Sequence, residues 1–155
     1  MNKAYSVVTS CEHKEYMHGL IYIDEYQNGC HFRIFVQGLQ PYSAHGFHIH
    51  TGNDLSKGCD ALGGHFNPTH KKHGDLNSGG HAGDLGNLYA NQYGIVDTSL
   101  FARNLTLKPG RFNIMNRSLI IHADKDDLGL GNNRESHETG NSGKRILAGI
   151  IKNRN

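Results

Sequence analysis

Eight short segments of this chain alternate apolar and polar residues with a period of two, and no stretch carries a long amphipathic-helix pattern. The segments are 4–9, 18–24, 31–37, 46–50, 87–91, 94–101, 118–122 and 145–151, the third entered from the turn signal Asn28-Gly29. A period-two segment has one apolar face to bury. Many such strands with turn-rich joins bury their faces against one another, as an antiparallel sandwich or barrel. With 155 residues the chain suits one core, so residues 1–155 are read as a single all-β domain.

Charge and hydropathy exclude several function classes. There are 16 Lys+Arg against 14 Asp+Glu, and they are scattered, which leaves no basic stripe for a nucleic-acid partner. No apolar run approaches the ~20 residues of a membrane helix. Residues 1–10 lack a continuous apolar stretch and a small-residue cleavage site, so a cytoplasmic location is expected. Three cysteines, Cys11, Cys30 and Cys59, show no repeated short spacing, which argues against a dense disulfide framework or a cysteine-type zinc site.

Two Gly-rich segments, 51–86 and 123–144, are longer than hairpin joins. Loops of that length in a compact domain are usually functional or disordered. The first carries the main signal. Seven of the 12 histidines fall between positions 45 and 81. His48 and His50, two apart on a strand, leave the same face. His65, His73, His81 and Asp84 supply three imidazoles and a carboxylate, a suitable tetrahedral set for zinc, and ligation would order a loop that has little core of its own. His122 closes the seventh strand, where it could join His48 and His50 in an all-imidazole set suited to copper. His45, three residues from His48, is read as structural, and His13, His18, His31, His70 and His137 as exposed polar residues.

Five blocks carry a family resemblance: Gly46-Phe47-His48-Ile49-His50, Gly64-His65-Phe66-Asn67-Pro68, residues 81–87 (HAGDLGN), residues 121–129 (IHADKDDLG) and residues 139–145 (TGNSGKR). In order and over nearly the whole chain, they resemble the copper,zinc superoxide dismutase family. The resemblance implies an eight-stranded antiparallel Greek-key barrel with two long functional loops. It implies copper held by His48, His50, His65 and His122, and zinc held by His65, His73, His81 and Asp84, with His65 bridging both ions. No cofactor beyond the two metals is implied. Asp126 matches the carboxylate that links a copper-side to a zinc-side histidine. Arg145 matches the guanidinium that orients superoxide, and His65 would also supply a proton. The implied reaction converts superoxide to oxygen and hydrogen peroxide by alternate reduction and reoxidation of copper. A homodimer is implied as well, with Val7, Ile114 and Ile150 apolar at the pairing positions.

The chain departs from the family pattern at two places. Cys59 matches a loop cysteine whose usual partner position, on the last strand, is Ala148 here. Cys11 and Cys30 do not align with that partner, so three free thiols are expected, with pairing of Cys59 to Cys11 or Cys30 as the alternative. In the second loop Arg134 stands where an acid is common and Glu138 where a lysine is common, while Lys144 adds a cation beside Arg145. Anion steering is expected to survive with a changed local field. The competing function is a dismutase-like copper-binding or chaperone-interacting protein without activity. Such relatives tend to lose copper ligands or the arginine, and this chain keeps all seven metal-binding residues and Arg145. A structural β-sandwich with surface histidines is the third class.

Overall fold

The alternating segments become strands in the computed structural model, which describes all 155 residues. They are β1 (Lys3–Ser10), β2 (His18–Tyr26), β3 (Gly29–Gln37), β4 (Ala44–His50), β5 (Asp84–Tyr89), β6 (Val96–Arg103), β7 (Ser118–His122) and β8 (Arg145–Ile150). A ninth, unforeseen strand, β9 (Lys152–Asn153), pairs with β1. All pairings are antiparallel, in the order β5-β4-β7-β8-β1-β2-β3-β6. The terminal strands β5 and β6 approach each other without a ladder, so the barrel is nearly closed. No helix is long and apolar enough to cross a membrane.

The period-two pattern sets the core. Ala4 and Val8 of β1, Ile21 and Ile23 of β2, and Phe32, Ile34 and Val36 of β3 are fully buried and join one apolar cluster of 24 residues. The strand β3 starts two residues earlier than the pattern suggests. Gly29 opens it where the backbone passes close to β6: a Cβ there would lie 2.2 Å from the Ala102 carbonyl oxygen. Only glycine tolerates that approach.

The two long loops carry short helical turns, and the first ends at Asp84, where β5 begins three residues earlier than the sequence pattern suggests. The first contains 3₁₀ turns at Leu55–Lys57 and Cys59–Leu62, and the second a helix α1 (Arg134–Glu138). Asp54 and Asn133 cap the first and last of these, accepting from the Ser56 and Ser136 amides at 2.9 and 3.0 Å.

The thiol expectation is overturned. Cys11 and Cys59 form a disulfide, and Cys30 is the one free cysteine, buried with its thiol against the Leu105 carbonyl. The reason lies in the register. Cys11 follows the end of β1, and its amide donates to the Ile146 carbonyl of β8 at 2.8 Å. Thr9 stands opposite Ala148 and Ser10 opposite Leu147. Cys11 is therefore one strand over from Ala148 and against the same patch, where Leu62, Ile120 and Ala148 pack with Cys11 and Cys59. Neighbouring strands put residues distant in sequence within bridging reach of the same loop cysteine. A second correction concerns Ile114, which is fully buried and offers nothing to a partner surface, whereas Val7 is 53% exposed.

Candidate metal centre

Strand β4 has core residues on one face, Phe47 and Ile49, and His48 and His50 on the other, all of them buried. The first loop folds back along β4: Phe66 donates its amide to the Ile49 carbonyl at 2.7 Å, Thr51 donates to Gly64 at 3.1 Å, and His50 faces His65. His122 enters from the end of β7. Both β4 and β7 break their ladders nearby, between Gly46 and His48 and between Ile121 and His122. Such irregularities re-aim side chains. The rings of His48 and His65 come to 3.9 Å between centroids, and those of His48 and His122 to 4.7 Å.

Hydrogen bonds assign the tautomers. His48 donates from Nε2 to Asp126 at 2.6 Å, His50 from Nδ1 to the Gly63 carbonyl at 2.9 Å, and His122 from Nδ1 to the Gly143 carbonyl at 3.0 Å. Each acceptor is an oxygen without a proton, so each neutral ring keeps a lone pair on its other nitrogen. For His48 that atom is Nδ1, buried and without a partner; Nε2 of His65 is in the same condition. The remaining nitrogens of His50 and His122 approach within 3.4 Å. Four lone-pair donors thus converge at one point.

A second group shares His65. Its Nδ1 lies 3.0 Å from Asp84 Oδ1 and 3.1 Å from His81 Nδ1, while His73 and His81 reach the same Asp84 oxygen at 3.0 and 3.2 Å. Tetrahedral ligands with bonds of about 2.0 Å stand about 3.3 Å apart, close to these separations. Donor atoms of His48, His65, His73 and Asp84 also lie within 4.8 Å of one another, but Asp126 already takes the Nε2 proton of His48 and its Nδ1 belongs to the first group.

Asp126 links the two groups, accepting from His48 and, at 2.7 Å, from His73 Nε2. Burial raises its pKa, yet these bonds outweigh burial and bring it to about 2. Burial holds His48 down at about 3 and His122 at about 4, and it also lowers His50 and His65, so these rings stay neutral donors. At His73 burial is overcome by Asp126 and Asp84, which push it up to about 9; a proton there is what a cation would replace. Asp84 lies well below the carboxylate range because bonds from His65, His73 and His81 outweigh its burial.

Arg145 borders a cavity of about 540 Å³ together with His50, His65 and His122, and it is the only cationic side chain among the lining residues. Its guanidinium donates to the Cys59 carbonyl at 2.8 Å and to the Gly63 carbonyl at 2.6 Å. The rearranged charges of the second loop neutralise locally: Arg134 pairs with Glu138 at 2.7 Å, and Lys144 leans 3.4 Å from Glu12.

All nine residues singled out for this site therefore lie together. His45 is buried and structural, bonded to the His122 carbonyl at 2.7 Å and to Ser43. His13, His18, His70 and His137 are exposed and His31 is half-buried. Two contributors escaped the sequence reading. Asn87 grips the Asp126 backbone through both ends of its amide, at 2.7 and 2.9 Å, and Cys11 anchors the loop that holds Arg145. Neither has a spacing signal, because both act across strands.

The sequence model of the family described as copper/zinc superoxide dismutase matches residues 17–151. The extracellular superoxide dismutase (Cu-Zn) of Drosophila melanogaster is 44% identical over 130 residues, 81% of this chain and 71% of that protein. The superoxide dismutase (Cu-Zn) of Paramecium bursaria Chlorella virus 1 is 45% identical over 117 residues, 75% of this chain and 62% of that protein. The crystal structure of the clock protein EA4 superposes with a TM-score of 0.89 at 35% identity, covering 97% of this chain and 94% of the other.

Proposed function

Because this chain belongs to the copper/zinc superoxide dismutase family, we propose that it is a dismutase, turning two superoxide ions and two protons into oxygen and hydrogen peroxide. The observation that carries this reading is the convergence of proton-free ring nitrogens beside the Arg145 cavity. His48, His50, His65 and His122 would hold copper, and His65, His73, His81 and Asp84 would hold zinc. Bound there, copper supplies the one-electron couple that both half-reactions need, and zinc a second fixed cation beside His65.

The protein's own residues do the rest. Two N–H groups of Arg145 are committed to the Cys59 and Gly63 carbonyls, and the others are free to hold a small anion in the cavity. His65 has Nδ1 against the Asp84 carboxylate and Nε2 buried without a hydrogen-bond partner, so Nε2 is the atom at which it can carry or yield a proton next to the anion. Asp126 keeps His48 and His73 in orientation, and Asn87 keeps Asp126.

Protein grown with both metals should contain about one copper and one zinc per chain and show dismutation that cyanide abolishes. Protein that binds neither metal would refute the assignment; bound metal without activity would favour the inactive copper-binding alternative. Arg145→Ala should lower kcat/KM roughly tenfold with metal content unchanged, since the side chain offers charge to the substrate and touches no ligand nitrogen. Unaltered kcat/KM at low ionic strength would remove Arg145 from its role.

The same reading includes a homodimer and a cytoplasmic location. Val7 supports a partner surface by its exposure, and sedimentation decides the mass. The Cys11–Cys59 bridge favours an oxidising compartment, so imaging of a tagged chain is the deciding experiment for location.

A further inference from the structure

The segment between His73 and His81 is held at three points. Its ends are fastened by Asp84, whose Oδ2 accepts from the Gly74 and His81 amides, each at 2.9 Å. Its midpoint is Asn77, four residues from either histidine, in left-handed backbone with φ 59°. There the Asn77 side chain leaves its own loop and docks on β6. Nδ2 donates to the Phe101 carbonyl at 2.9 Å, Oδ1 accepts from the Arg103 amide at 2.8 Å, and the Arg103 guanidinium returns a bond to the Asn77 carbonyl at 3.1 Å.

The position of these contacts matters. β6 pairs with β3 along one edge and has no strand on the other, because the barrel stops short of closing between β6 and β5. Unpaired edge groups seek partners. One carboxamide supplies both a donor and an acceptor to two of them, standing in for a missing strand residue. Beneath it lies a cavity of about 440 Å³ whose walls include Asn77, Arg103, His81 and Asp84. This cavity reaches the His81/Asp84 side of the centre and is separate from the one at Arg145.

We infer that Asn77 is a positioning residue that latches the zinc-side loop onto the open edge of β6 and sets how fast zinc leaves through this seam. The inference rests on the proposed zinc role of His73, His81 and Asp84. The ends of the loop depend on the metal site itself, through Asp84. Asn77 is a polar tether that does not; with Leu76, which packs on the core, it keeps both histidines near their places when a zinc bond opens.

The test uses the full chain loaded with copper and zinc and challenged with a chromogenic zinc chelator. Asn77→Ala should release zinc roughly tenfold faster, as expected for the loss of its two side-chain hydrogen bonds, with copper release unchanged. Asn77→Asp keeps the acceptor for the Arg103 amide and loses the donor, so it should fall between. Hydrogen exchange at the Arg103 amide should quicken in Asn77→Ala. Zinc release at the wild-type rate in both variants would overturn the latch, and so would equal acceleration of copper and zinc, which would mean general loosening. Wild-type protein that takes up no zinc would instead overturn the metal assignment beneath it.

Discussion

Replacing Cys11 with Ser should remove about 4 kcal/mol of stability, because the Cys11–Cys59 bridge closes a loop across a sequence separation of 48 and loop closure of that length is worth about this much in the chain-entropy description. For a chain of this size the melting temperature should fall by about 10 °C. A second consequence follows from the hydrogen bonds. The Cys59 carbonyl holds the Arg145 guanidinium, and Gly63, at the end of the same turn, holds both Arg145 and His50. Freed from β1, this turn should loosen its grip on Arg145, so activity should drop while copper and zinc remain bound. Thiol titration of denatured, non-reduced protein provides the control: about one free thiol per chain, Cys30, rather than three. Three thiols, or a melting temperature within 2 °C of wild type in the variant (about 0.5–1 kcal/mol), would contradict the bridge or its weight.

Asp126→Ala should weaken both metals together. Its carboxylate is fully buried and accepts from one ring of each donor group, His48 and His73, as well as from the Leu128 amide at 2.7 Å. Truncation frees both rings to rotate and leaves their buried N–H groups without acceptors, a cost of about 1–3 kcal/mol each. Loss of such orienting partners typically weakens metal binding about 10–100-fold. Copper and zinc titrations of the variant should each show a loss in that range. A change in one metal alone would mean that Asp126 serves one side of the centre and does not couple the two.

Much of this molecule is legible in its sequence because two local rules govern it. Period-two alternation dictates which side of each strand is buried, so eight strands could be read from residues alone. The two-residue spacing of His48 and His50 needs nothing beyond strand geometry to place both rings on one face. The candidate ligand set in 65–84 is readable for a related reason: three imidazoles and a carboxylate clustered in one Gly-rich loop match a tetrahedral metal set. The resemblance of five blocks to one family added the proposed bridging role of His65 and the proposed roles of Asp126 and Arg145.

What only the tertiary structure decided concerns groups brought together by strand order. Cys11 bridges Cys59 because β1 lies beside β8, a neighbour relation that no sequence spacing encodes and that made three free thiols look natural. Ile114, apolar like Val7, faces inward because the turn around it packs on the core. Asn77 meets β6 because the barrel leaves that edge open, and Asn87 meets Asp126 across 39 residues. The disulfide and the two asparagine contacts each join residues distant in sequence through one to three bonds, with no periodic pattern to announce them. Hydrophobic periodicity is written along the chain, since it repeats. A lone polar contact between strands becomes visible only when the register that creates it is known.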